Sequence, residues 1–296
     1  AKNGYALGQN NLGNFLLKES SNNEDEKKAM GWISKAAEGG NKYAQYTLGL
    51  SLCRGQNGMK TDIKSGLEWF KKSIDQDHLP GIHHYNYYAV KAYPREERHA
   101  LQIEVLRRGS ELGDAYSMAW YGRKMIDGHG IAKDRVEGAK WIKKSSDLGN
   151  KSGQSKMADL YRHAVGVKRD FAKAVVLHKI LAEKGDEVSM NNLGSIYYNG
   201  KGNVKQDYKL AAKYFQMHID HGYNKNLIIL GIMYREGEGV EQDIEKTLKL
   251  QERALKEGQI SAYEQLGHLY HSDRYGKKDL EKSIGYYIKG ADLGNK

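Results

Sequence analysis

Apolar and small residues recur along the chain at helical spacing, interrupted by glycines at regular distances. Between Ser189 and Asn199, Ser189, Leu193, Gly194 and Tyr197 share one helical face, and Gly200 and Gly202 supply the left-handed backbone that ends a helix. Asp207 is placed to cap a second helix with an inward stripe of Ala211, Tyr214, Phe215 and His218, and Gly222 stops it. Two short amphipathic helices cannot bury both faces by themselves, so the unit requires neighbours of the same kind.

Those neighbours are countable. Second-helix stops fall at Gly40, Asp77, Gly113, Gly149, Gly185, Gly222, Gly258 and Gly294, at spacings of 36 or 37 residues. Eight residues before each stop stands a large side chain: Trp32, Trp69, Val105, Trp141, Leu177, Tyr214, Leu250 and Tyr286. Eight residues after successive stops come Leu48, Tyr85, Tyr121, Met157, Leu193, Leu230 and Leu266, with Leu12 in the same role at the front. The pattern predicts sixteen short helices in eight pairs and no sheet, with Trp32, Trp69, Trp141, Leu193 and Leu230 buried. Gly113-Asp114, Gly149-Asn150 and Gly185-Asp186 read as a helix stop followed at once by the next cap.

Two units depart from the pattern. In the first, a polar string replaces the glycine loop, and Asn23 with Glu26 has capping-box spacing for the next helix. The third, His78–Gly113, holds both prolines and the string His83-His84-Tyr85-Asn86-Tyr87-Tyr88, with Pro94 opening its second helix. A bend in the array and a functional specialisation both fit that divergence. At the front, residues 1–4 align with the tail of a second helix, and Gly294-Asn295-Lys296 repeats the start of another unit, which implies a segment of a longer array.

The motif Leu193-Gly194…Tyr197…Gly200…Gly202, repeated at Leu230-Gly231…Tyr234…Gly237…Gly239-Val240, resembles the Sel-one-like repeat (SLR), a relative of the tetratricopeptide repeat. The second helix fits best at Lys28-Ala29…Trp32…Lys35-Ala36-Ala37…Gly40. The resemblance covers nearly all 296 residues. It implies an all-α, right-handed superhelical solenoid of about eight helix pairs, a single domain over 1–296. It also implies a non-enzymatic scaffold that holds a protein or peptide in a concave groove lined by the first helices. Narrower implications are a bacterial immunity protein neutralising a secreted lipase-type effector, or a surface factor binding a host protein.

Composition narrows these readings. The net charge of +10 is divided evenly: residues 1–148 hold 23 basic and 18 acidic side chains, and 149–296 hold 24 and 19. With no basic tail or run, nucleic-acid binding is disfavoured and an acidic protein partner is the better match. No apolar run is long enough to span a bilayer. A single cysteine, Cys53, excludes an intramolecular disulfide, and is compatible with a periplasmic, secreted or cytoplasmic setting. Phosphate loops, dinucleotide fingerprints and hydrolase or metalloprotease signatures are absent, so no catalytic residue is expected. His218/His221 and His268/His271 have helical spacing for two imidazoles on one metal, but neither pair has the further ligands that a site needs. No metal or cofactor is expected.

Candidate binding residues come from geometry. If the Leu-Gly-Tyr face points inward, positions two before and two and five after the leucine face outward. That row contains Tyr46, His83, Tyr87, Arg123, Arg162, Asn191, Tyr198, Arg235, His268 and His271, together with Asn10 and Cys53. Tyrosine and arginine are common interface anchors.

Overall fold

The computed structural model describes residues 2–294. These form two compact units, residues 2–156 with 165–167 and residues 157–164 with 168–294. The first unit contains α1 (Lys2–Glu19), α2 (Asn23–Glu38), α3 (Lys42–Arg54), α4 (Ile63–Ile74), α5 (Pro80–Ala92), α6 (Arg95–Glu111), α7 (Ala115–Asp127) and α8 (Arg135–Asp147). Helix α9 (Lys151–His163) contributes to both. The second unit continues with α10 (Phe171–Ala182), α11 (Glu187–Asn199), α12 (Tyr208–Asp220), α13 (Leu227–Glu236), α14 (Ile244–Lys256), α15 (Ser261–His271) and α16 (Leu280–Gly294). The described residues thus hold the sixteen α-helices expected, and no β-strand.

The helix ends follow the chemistry read from the sequence. Gly40, Gly113, Gly149, Gly185, Gly222 and Gly258 all have left-handed backbone, and Asp77 takes the same conformation at φ +63° without the glycine. Asp207 accepts from the Leu210 amide at 2.9 Å, and Asp62, Asp134, Asp170 and Asp243 cap their helices in the same way. Two end assignments shift. The cap of α2 is Asn22, which accepts from the Glu24 and Asp25 amides, while Asn23 is already helical. Residues 2–4 belong to α1 and are not the tail of a preceding helix; Ala1 and residues 295–296 lie outside the described residues. Gly4 is followed by Tyr5, where Gly40, Gly113, Gly149 and Gly185 are followed by a capping Asn or Asp.

Packing confirms one predicted core position and corrects the other. On the first helices, Leu48, Tyr85, Met157, Leu193, Leu230 and Leu266 are buried. Leu12 is exposed. On the second helices, Trp32, Trp69 and Trp141 are only half-buried. Each lies beneath the ammonium of the lysine three residues later: Lys35 at 4.8 Å, Lys72 at 3.8 Å and Lys144 at 4.3 Å. The fully buried position is the next residue, Ile33, Phe70, Leu106 or Ile142. In α10 that position is His178, whose Nδ1 lies 3.1 Å from the Ser189 hydroxyl and whose pKa burial brings down to about 4.

Close approach within a pair is made by glycine. A Cβ on Gly194 would run into the Phe215 ring. At the crossing of α7 and α8, a Cβ on Gly122 would stand 2.5 Å from the Gly138 carbonyl oxygen, and one on Gly138 2.6 Å from that of Gly122.

Candidate functional site

The third helix pair is built differently from its neighbours. In six of the other pairs a glycine-containing connection of seven or eight residues joins the helices, as at residues 128–134 and 200–207, whereas α1 and α2 are joined by the polar residues 20–22 alone. Between α5 and α6 only Tyr93 and Pro94 intervene. The fixed φ of Pro94 lets the next helix begin at once, and α6 reaches 17 residues where α4, α8, α10, α12 and α14 have 12 or 13. The added turn carries Arg95 and Arg98.

Beside that turn lies a cavity of about 330 Å³. Its wall is aromatic and apolar through Tyr87 and Val90 of α5, Leu106 of α6, and Tyr116 and Trp120 of α7. Its polar lining consists of Asn86, Arg98, His99, Gln102 and Lys124. Lys124 is 8% exposed, and its ammonium donates to Gln102 Oε1 at 3.0 Å. Burial, helped by the nearby Arg98, Arg123 and Arg95, lowers its pKa to about 8; Asp127 is the one carboxylate that opposes this. Gln102 in turn donates to the Asn86 carbonyl at 3.2 Å. Two buried polar atoms here have no partner in the protein, Asn86 Oδ1 and Trp120 Nε1.

One residue singled out by the sequence lines this cavity, and two others pack on rings of its wall. Tyr87 is 58% exposed and lines it, with the Lys91 ammonium 4.5 Å from its ring. His83 stacks on Tyr116 at 4.0 Å, and the Arg123 guanidinium lies over Trp120 at 5.2 Å. Tyr46, farther along, is half-buried against Phe70, His78 and His84.

In the second unit the row is engaged internally. Arg162 pairs with Asp159 at 3.5 Å. The Tyr198 hydroxyl donates to Glu238 at 3.2 Å, and burial foremost, then Glu238, pushes its pKa up to about 12. Arg235 donates to Glu236 at 2.8 Å and is largely buried. His268 lies between Glu264 and the Tyr287 hydroxyl, while Asn191 is half-buried and His271 exposed. Asn10 and Cys53 do not belong to the outward row: both are buried, and Cys53 sits in the core with its thiol pKa pushed up to about 12. Burial also separates His218, which is wholly enclosed, from exposed His221.

The sequence reading missed Asn86, Arg98, His99, Gln102 and Lys124, which lie on three helices. Their only signal was the short proline connection of the third unit.

Sel1 repeats match residues 6–41, 42–78, 115–150, 151–186, 188–223, 227–259 and 260–295. The chain belongs to the Sel1-repeat family. Its one unmatched Sel1 unit, residues 79–114, is the pair α5–α6 that forms most of the cavity. The fold agrees: the crystal structure of c5321, described as a protective antigen of uropathogenic Escherichia coli with an SLR fold, superposes with a TM-score of 0.74 at 26% identity over 90% of this chain. A Sel1 repeat protein of Oxalobacter formigenes superposes with a TM-score of 0.70 at 20% identity, over 98% of this chain and 84% of its own. The uncharacterized protein NMB1327 of Neisseria meningitidis serogroup B is 24% identical over 90% of this chain. The chain spans 62% of the length of NMB1327 and 56% of that of c5321. Sel1 repeats generally mediate protein–protein interaction, and the family is one of non-catalytic scaffolds. No helix among the described residues is long and apolar enough to cross a membrane.

Proposed function

We propose that this Sel1 array is a non-enzymatic scaffold that holds an acidic protein or peptide segment along its first helices, with the third pair as its anchor point. The observation that carries this reading is an aromatic cavity lined by Tyr87, with His83 and Arg123 packed on its Tyr116 and Trp120 rings. Within each unit one pair of first helices approaches closely, α3 with α5 and α13 with α15, as a row along the first helices requires. Exposed rings and guanidinium groups in such a row cover apolar side chains and meet carboxylates of a bound segment. The internally paired Arg235 and Tyr198 are weaker anchors, since each must first leave a carboxylate.

The test uses a partner retained by the intact protein and identified by mass spectrometry. Its affinity is then measured by calorimetry against Tyr87→Ala, Arg123→Ala and the second-helix control Lys143→Ala. Each first-helix change is expected to weaken binding by about 1–3 kcal/mol, as at interface anchors, with Lys143→Ala near neutral. A partner indifferent to Tyr87 and Arg123 but lost on second-helix changes would move the interface elsewhere.

A further inference from the structure

The cavity of the third pair has chemistry of its own. A buried ammonium is costly unless an opposite charge or several acceptors meet it, and Lys124 has only the neutral Gln102 amide at hydrogen-bond distance. The charges acting on it are mostly of its own sign: Arg98, Arg123 and Arg95 against Asp127, whose carboxylate is 3.6 Å from Arg123. Such an arrangement favours an anion. Asn86 Oδ1, in a side chain 8% exposed, is an acceptor without a donor, and Trp120 Nε1 is a donor without an acceptor. The rest of the wall is aromatic and apolar. At about 330 Å³ the cavity falls at the lower end of small-molecule sites, roughly 300–1,000 Å³.

We propose that the α5–α6–α7 cavity binds a carboxylate carried on an apolar body, the chemistry shared by an N-acylated amino acid and the last residue of a peptide chain. The carboxylate meets Lys124 and Arg98. Tyr87, Tyr116 and Leu106 cover the apolar group. This inference rests on the scaffold reading only for the source of the acid. A partner held on the surface while the cavity ignores acids would end this proposal and leave the scaffold; acid binding with no partner contact at Tyr87 or Arg123 would do the reverse.

Calorimetric titration of the full chain with N-acetyl-L-phenylalanine and with its uncharged carboxamide tests the idea. The acid is expected to bind at least tenfold more tightly than the amide, and Lys124→Met to erase that difference. Arg98→Gln, nearer the solvent, gives the same readout at reduced size should Lys124→Met fail to fold. A decapeptide ending in phenylalanine, with free or amidated terminus, separates the sources: a free-acid peptide at least tenfold tighter than the small acid identifies a chain end, and equal affinity identifies a free small acid. Acid and amide within threefold of each other, or acid binding that survives both Lys124→Met and Arg98→Gln, would overturn the proposal.

Discussion

Enclosing the Lys124 ammonium beside Leu106 and Trp120 lowers its pKa from the ordinary 10.5 to about 8, through burial first and then through Arg98, Arg123 and Arg95. The unfolded chain therefore holds more protons than the folded one between about pH 8 and 10.5, so this group makes stability rise with pH across that window. Lys124→Met removes a poorly compensated charge and keeps the length of the side chain. It is expected to leave the thermal midpoint at neutral pH unchanged or higher, and to abolish Lys124's share of the rise. Comparing thermal melts of the two proteins at pH 7 and 9.5 checks both points. At another residue pair, adjacent Trp141 and Ile142 have opposite fates: the ring lies half-exposed under Lys144 and the aliphatic side chain is fully enclosed. Ile142→Ala should cost about 2–5 kcal/mol in chemical denaturation, as for enclosed aliphatic truncations. Trp141→Ala should fall below the roughly 3–5 kcal/mol of a fully enclosed ring.

At the scale of helices, much of the second-helix entry chemistry is carried by single aspartates. Backbone amides and neighbouring side chains hold the carboxyls of Asp62, Asp170, Asp243 and Asp279 below the usual carboxylate range. Because their folded pKa is depressed, the stability they add is complete above the unfolded carboxylate value near pH 4 and is lost as pH falls through the folded value. Asp243→Asn retains a capping oxygen but not the titration. It should unfold less steeply with acid than the parent, as followed by far-ultraviolet circular dichroism, whereas Asp243→Ala should be less stable even at neutral pH.

The same scale explains what was legible in the residues alone. Stops at Gly149 or Gly222 are set by one residue's backbone freedom, so the period could be read directly. The tryptophan position was misplaced by one residue because a large ring marks a helical face without saying which edge is covered. Lys124 and Arg98 could not be paired from the sequence, since what joins them is the length of α6, and that length follows from a two-residue connection.

For the whole molecule, the charge of +10 is divided evenly between the two halves of the sequence, with no concentrated basic run. An acidic partner should therefore lose affinity only gradually as salt rises from low to about 0.15 M, where screening reaches about 8 Å; a steep loss would point to a polyanion instead. The α7–α8 crossing carries a last consequence. Gly122 and Gly138 meet there with no room for a methyl group, and α7 presents Trp120 and Lys124 from its other faces. The clearance between these two glycines is thus a calibration of the cavity from outside its wall. A single added methyl, Gly138→Ala, would act as a shim behind α7, shifting the indole and the ammonium together. Its mark would be a changed preference between acid and amide ligands, produced by a residue that touches neither.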